Sequence, residues 1–305
     1  RRSPTVKLLG NEISVGIARF LRHARNFDVV HAHSHLYFST NLSALTRRVG
    51  DIPLAITNHG LYSQNAPEWL FDLYLRSIGR WTFNQADVVF CYTGEDRERV
   101  QAFGVDSRIE VVPNGVDTAR FTPDGEASEM IDHDGTVVLF VGRLVEGKRP
   151  GDAIDAVSRL PDELNAKLYV VGDGPLRSEL KSGTDRNNVE FLGQVPYEKM
   201  PAVYRAGDVL LLTSRAEGLP RTVLEAMASG IPVVVSALDQ VAPVVAEAGI
   251  PVPVGDISGY ATGIETVLNC SFENPRTIVE GTFNWINTVE RTTEVLNQLT
   301  DNLNG

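Results

Sequence analysis

The chain has 305 residues, a length that usually makes two domains with cores of their own. It is 43% hydrophobic and 22% charged, with 28 Lys and Arg against 39 Asp and Glu and a net charge of −11. This is the make-up of an ordinary globular protein, and the acidity argues against a nucleic-acid binder, whose affinity comes from neutralising phosphates.

The first predicted element is a helix over 11–25, with Ile13, Ile17, Phe20 and Leu21 on one face and Arg19, Arg22 and Arg25 on another. A buried strand over 28–32 follows and runs into His31, His33 and His35, which strand alternation would set on one face. Three such imidazoles suit either zinc or the lining of a ligand cleft. A helix over 37–48 precedes a strand over 53–57 that ends in Asn58, His59 and Gly60. That ending puts the His59 imidazole at a sheet's carboxyl edge, as a ligand contact or as a plain turn residue. Residues 66–84 read as a helix rich in aromatics, Trp69, Phe71, Tyr74, Trp81 and Phe83, most of them core. Trp69 and Tyr74 are its candidates for contact with a lipid acceptor or a membrane surface.

A strand over 87–93 and a short helix over 95–103 lead to a further strand from Arg108 that runs into Pro113-Asn114-Gly115-Val116-Asp117. Asn-Gly is a turn dipeptide, and the loose stretch 122–135 after it marks a domain boundary nearby. Cys91 in its apolar strand and Cys270 far away in sequence suit a reducing compartment rather than a disulfide framework. No run of about 18 apolar residues occurs, so no spanning helix is expected.

The second half alternates strands (136–141, 167–171, 189–192, 209–212, 233–235) with helices (150–159, 175–181, 197–206, 221–229, 240–248, 258–268). Such alternation predicts α/β architecture, a parallel sheet covered on both faces. A final helix over 284–299 carries Trp285, Ile286, Val289, Val295 and Leu299.

The most informative stretch is 215–236. The strand at 209–212 enters a loop holding Glu217, Pro220 suits a helix start, and Glu225 follows about a turn inside the helix. Helical side chains lean toward the N-terminus, so Glu225 can address a ligand at the helix mouth, where free N–H groups favour phosphate. Two carboxylates flanking an anion pocket suit a phosphorylated sugar. Earlier in the same half, Arg143 and Lys148 directly follow a strand. A cation about 4 Å from a phosphate oxygen gains roughly 4 kcal/mol at an effective dielectric near 20. Gly172-Asp173-Gly174 is a tight strand-to-helix turn and not the dinucleotide fingerprint, which appears nowhere.

The segment EGLPRTVLEAMASGIPVVVS at 217–236, with GRLVEGK at 142–148 and PNGVD at 113–117, resembles the retaining nucleotide-sugar transferases called group 1 glycosyltransferases, family 4. The resemblance implies the GT-B fold, two Rossmann-like parallel-sheet domains facing a cleft. The N-terminal, acceptor-side domain would be 1–114, completed by the helix 284–305, and the donor-binding domain 115–283. It further implies that Arg143 and Lys148 hold the leaving diphosphate and that Glu217 faces the transferred sugar. Glu225 would bind the ribose hydroxyls. Gly218, Leu219, Pro220 and Thr222 would line the donor, Gln194 and Val195 would meet the base, and His59 would face sugar and acceptor. Arg149 stands where many members carry Gly. No cofactor and no metal are expected, the two cations replacing one.

The expected activity is transfer of a hexose-type sugar from a nucleoside-diphosphate sugar to a glycan, lipid-linked or small-molecule acceptor, with retention. Nucleic acid is not an expected partner. A cytoplasmic location follows, with peripheral contact at the inner membrane face through the N-terminal domain as an option. Family members begin with a strand and a glycine-rich turn, whereas the first clear strand here resembles a later one, so part of the N-terminal domain is expected to be missing. Two rivals remain open. One is a non-catalytic nucleotide-sugar-binding partner of another transferase. The other is a different GT-B enzyme, such as an epimerase or a phosphorylase.

Overall fold

The computed structural model describes residues 6–8, 11–13, 16, 17, 21, 23–61, 68–183, 188–270 and 273–301. The chain divides into two compact units, Arg1–Pro113 with Thr288–Gly305, and Asn114–Asn287.

In the first unit β1 (Val6–Leu8) pairs antiparallel with β2 (Asn11–Ile13). The helix expected over 11–25 is therefore wrong at its start. Two short runs separated by two residues, the second of them Gly10, carry a hairpin signal that outweighs the helical spacing. Residues 16, 17 and 21 are helical and Ala24–Asn26 forms a 3-10 turn, while 14, 15, 18–20 and 22 lie outside the described residues.

The main sheet of this unit runs β3 (Val30–His33), β4 (Leu54–Thr57), β5 (Val88–Cys91) and β6 (Arg108–Val111), all parallel. Alternation along β4 and β5 divides the core between the two faces. Leu54, Ile56, Val89 and Cys91 pack with Ala44, Phe83 and Val100. Ala55, Val88 and Phe90 pack with Val295 and Leu299 of the C-terminal helix Trp285–Asp301. Burying side chains of this size contributes about 1.5–3 kcal/mol each, so both faces need their cover.

Helices α1 (Phe38–Val49) and α2 (Glu68–Tyr74) follow β3 and β4. The helical run from Glu68 continues as a π turn over Leu75–Gly79 and ends in α3 (Arg80–Phe83). Phe71 and Phe83 are buried, but Trp69 is 70% exposed and Trp81 is also exposed, so these two tryptophans are not core. Helix α4 (Gly94–Ala102) is capped by Thr93, whose hydroxyl accepts the Asp96 N–H at 3.1 Å. Asp87, at the mouth of β5, accepts two bonds from the Arg47 guanidinium and the Leu54 N–H, each at 2.8 Å.

The second unit holds a six-stranded parallel sheet, in spatial order β12-β11-β10-β7-β8-β9. The strands are β7 (Val137–Val141), β8 (Lys167–Val171), β9 (Val189–Gly193), β10 (Val209–Leu212), β11 (Val233–Ser236) and β12 (Gly249–Val252). The order runs outward from β7 in both directions, so the chain reverses between β7 and β10. In an open α/β sheet that reversal is where a ligand crevice opens, at the carboxyl ends of the strands.

Helices of this unit are α5 (Pro150–Val157), α6 (Arg177–Gly183), α7 (Met200–Arg205), α8 (Arg221–Ala228), α9 (Ala242–Val245), α10 (Ile257–Asn269) and α11 (Pro275–Thr282). Helix α9 is about half the length expected for 240–248, and Pro243 in its first turn disfavours helix on the N-terminal side. Strand β12 and helix α11 were not expected. Pro251 is tolerated in β12 because that strand is the sheet's edge. Asn274 caps α11 by accepting the Arg276 N–H at 3.0 Å, with Pro275 in the first helical position.

Candidate active site

Two loops leave the sheet at its reversal, 142–149 after β7 and 213–220 after β10. They are laced together. The Arg215 N–H donates to the Gly147 carbonyl at 2.8 Å, and the Thr213 hydroxyl donates to the carbonyls of Lys148 and Arg149 at 3.1 and 2.8 Å. Arg149 adopts φ +49°, a left-handed turn that ends the loop and starts α5. The neighbouring strand ends also touch closely. Gly172 has φ +135°, and a Cβ there would overlap the Gly142 carbonyl oxygen, so only glycine fits.

This lacing brings Lys148 and Glu217 together, with the Lys148 ammonium ion-paired to Glu217 Oε1. Glu217 is only 6% exposed. A carboxylate so buried needs its cation, and breaking such a pair costs about 3–5 kcal/mol. Arg143 stands exposed on the same loop, and its side chain makes no hydrogen bond or ion pair with the described residues.

The 213–220 loop feeds α8. Gly218, Leu219 and Pro220 are buried, and the Leu219 carbonyl is held by Asn114 Nδ2 at 3.2 Å. Among the described residues the Ser214 and Thr222 hydroxyl oxygens are buried without a hydrogen-bond partner. A helix start supplies N–H groups that the helix itself does not use. Glu225, one turn into α8, is 5% exposed. Its Oε2 accepts the Tyr204 hydroxyl at 2.9 Å, and Arg221 lies 3.5 Å from Oε1. Burial raises the Glu225 pKa above the ordinary carboxylate value, with Tyr204 and Arg221 pulling the other way. Gln194 is exposed and Val195 half-buried, just past the end of β9. Asn114 was read from the sequence only as a turn residue, and Tyr204, Ser214 and Arg221 were not singled out. Tyr204 and Arg221 sit at helical positions that read as core and as surface charge.

The first unit carries a separate cluster. His31 and His33 lie side by side, ring centroids 4.6 Å apart, and His33 Nδ1 is 3.1 Å from His59 Nε2. Tyr92 reaches His59 Nδ1 at 2.8 Å, so both ring nitrogens of His59 have protein partners. His31 Nε2 bonds the Thr57 hydroxyl at 2.8 Å. Burial, with mutual repulsion second, lowers His31 and His59 to about 4, and burial lowers His33.

The expectation that His35 shares this face fails. Strand β3 ends at His33, and Ser34 takes φ +65°, which breaks the alternation. His35 instead enters the core, 0% exposed, with its ring 4.7 Å from Phe83 and 6.3 Å from both Phe71 and Tyr74. Among the described residues no three His, Cys, Asp or Glu side chains form a group that could hold a metal ion.

Burial lowers the His35 pKa from 6.5 to about 3. Below pH 6.5 the unfolded chain therefore binds a proton that the folded chain refuses. Stability is complete above that pH and declines as acid is added, by about 2 kcal/mol from this residue at pH 5. Urea unfolding at pH 7 and pH 5 should show the loss, and His35→Phe should make it shallower.

Family models match both units. A Glycosyltransferase Family 4 model matches residues 7–120, and a Glycosyl transferases group 1 model matches residues 135–270. The D-inositol 3-phosphate glycosyltransferase of Acidothermus cellulolyticus is 30% identical over 90% of this chain and 67% of its own length. The chain belongs to the group 1 glycosyltransferases.

Among other relatives, the putative glycosyltransferase EpsF of Bacillus subtilis is 30% identical over 71% of this chain, which spans 61% of that protein. The UDP-Gal:alpha-D-GlcNAc-diphosphoundecaprenol alpha-1,3-galactosyltransferase of Escherichia coli is 27% identical over 87% of this chain and 74% of its own. Solved structures establish the GT-B fold. Anabaena Alr3699/HepE in complex with UDP-glucose superimposes with a TM-score of 0.81 at 22% identity, over 93% of this chain and 82% of that one. Sucrose-phosphate synthase from Thermosynechococcus elongatus gives 0.80 at 22% identity, over 93% and 78%.

Proposed function

We propose that the chain transfers a hexose-type sugar from a nucleoside-diphosphate sugar to a glycan, lipid-linked or small-molecule acceptor, with retention of configuration. The observation that carries this reading is the pairing of Lys148 with Glu217 at the reversal of the second sheet. One loop brings cations and the other an acid, and beside them starts a helix with N–H groups free for an anion. Such a mouth suits a pyrophosphate with a polyhydroxylated sugar next to it. The names of the relatives, several of them glycosyltransferases, support it too.

In the reaction the bond from the sugar's anomeric carbon to the diphosphate oxygen breaks, and one to the acceptor oxygen forms on the same face. The acceptor's proton passes to the departing phosphate, so no protein nucleophile is required. Arg143 and Lys148 stabilise the charge that grows on the leaving group, the part of binding that accelerates the step. Glu217 holds the sugar, Glu225 the ribose, and Gln194 and Val195 border the base. The Gly218, Leu219, Pro220 and Thr222 segment lines the sugar and phosphate, and His59 serves the acceptor side.

A panel of UDP-, GDP- and ADP-hexoses, assayed for diphosphate release with an acceptor mixture, tests the reading. The product's anomeric configuration, read by NMR, tests retention. Because the two side-chain cations neutralise the leaving group in this scheme, activity should persist within about twofold in excess chelator. Strict dependence on an added divalent ion would overturn the metal-independent form of the proposal.

A further inference from the structure

Glu225 is held by a side chain that the sequence reads as core. Tyr204 in α7 is 0% exposed, and its ring packs against Phe121 with centroids 5.8 Å apart. Phenylalanine would fill the same space. The hydroxyl is buried, and a buried O–H without a partner costs about 1–3 kcal/mol, so its one bond matters. That bond goes to Glu225 Oε2 at 2.9 Å.

The carboxylate has partners on its other side too, where the Tyr197 hydroxyl also hydrogen-bonds it. Arg221 stands 3.5 Å from Oε1 and gives its shorter bond, 2.6 Å, to the Tyr197 hydroxyl. The Tyr197 ring also lies under the Arg120 guanidinium, 4.4 Å from its carbon to the ring centroid. An ionised carboxylate has about four lone-pair positions. Tyr204 holds the carboxylate from the buried side, and Tyr197 and Arg221 meet it from the helix-mouth side, where two adjacent hydroxyl groups would have to reach it.

We propose that Tyr204 is a positioning residue for Glu225, fixing its carboxylate from the buried side so that its helix-mouth side meets the vicinal hydroxyls of the donor's ribose. The inference rests on the donor-site reading above. Tyr204 touches no substrate. It acts by aiming the carboxylate and by favouring the ionised state, the only one that can accept both hydroxyls. Without it Glu225 turns more freely and takes up a proton more readily, and the loss falls on the ribose alone.

The test is a titration of wild type and Tyr204→Phe with UDP, GDP and ADP and with the 2′,3′-dideoxy diphosphate of whichever base binds. Wild type should prefer the ribonucleotide. Tyr204→Phe should weaken ribonucleotide binding by about tenfold, the low end for one hydrogen bond to a charged group, and leave the dideoxy affinity unchanged. Its ribonucleotide affinity should also fall away at higher pH than in wild type as acid is added, since the variant's carboxyl protonates earlier. The ratio of the two affinities is independent of the folded fraction, so partial unfolding of the variant does not mimic the result. In a Glu225→Gln background, Tyr204→Phe should no longer alter the ratio. An unchanged ratio in the single variant overturns the inference while the donor site stands. A wild-type chain that binds none of the diphosphates overturns both.

Discussion

A chain carrying Arg143→Ala and Lys148→Ala together is expected to lose sugar transfer by about 10²- to 10⁴-fold. Each cation would make a charge-assisted contact to the leaving diphosphate worth about 1.5–3 kcal/mol, and a factor of ten in rate is about 1.4 kcal/mol. Because leaving-group charge grows in the transition state, most of the loss should appear in kcat. The two single variants should differ in kind. Arg143 is exposed and unpaired among the described residues, so Arg143→Ala should fold as wild type does and report chemistry alone. Lys148→Ala strips Glu217, 6% exposed, of its cation, and should lower stability as well. Adding Glu217→Gln to Lys148→Ala should recover part of that stability and none of the rate. Steady-state kinetics with thermal unfolding on the same samples separates the two effects. Full activity in the double variant would refute the clamp.

Glu217→Ala should reduce kcat by about 10²-fold or more, with donor affinity little changed, because Glu217 both holds Lys148 and faces the transferred sugar in the proposed scheme. Glu225→Ala should do the reverse. In the proposed scheme it removes a carboxylate whose ligand contact is the ribose, far from the breaking bond, so donor KM should rise about tenfold while kcat stays within a fewfold. Initial rates across donor concentrations read both. A kcat collapse for Glu225→Ala with an unchanged KM would mean that the two acids had been assigned the wrong way round.

The parallel sheets were legible because fully buried strands announce themselves as continuous apolar runs, such as 209–212 and 233–235, between turn residues. The Lys148–Glu217 neighbourhood was legible through the motifs that carry the family resemblance. The family resemblance assigned both to one donor site, and the structure brings the two motifs, 69 residues apart in sequence, together. Other features could not be read. A positive φ at Ser34 cannot be inferred from the letters around it, and that one dihedral sends His35 into the core and away from His31 and His33. Strand β12 was hidden by Pro251, which argues against a strand everywhere except at an edge, and edges are set by topology. Tyr204 was hidden by its own fit, since a tyrosine on a buried helical face looks like packing until its hydroxyl is found on Glu225.

Arg149 occupies a left-handed turn that a side chain tolerates at a cost of about 1–2 kcal/mol. It is kept there by its own Nε–H to Asp152, at 2.6 Å, and by the Thr213 hydroxyl on its carbonyl. A glycine would sit in that turn without strain but would leave the guanidinium's anchor empty. The protein has thus accepted a small thermodynamic deficit in exchange for a stiff mount beneath Lys148. Lineages drifting toward greater heat resistance would find relief at this residue easily, and would have to regain the lost stiffness elsewhere.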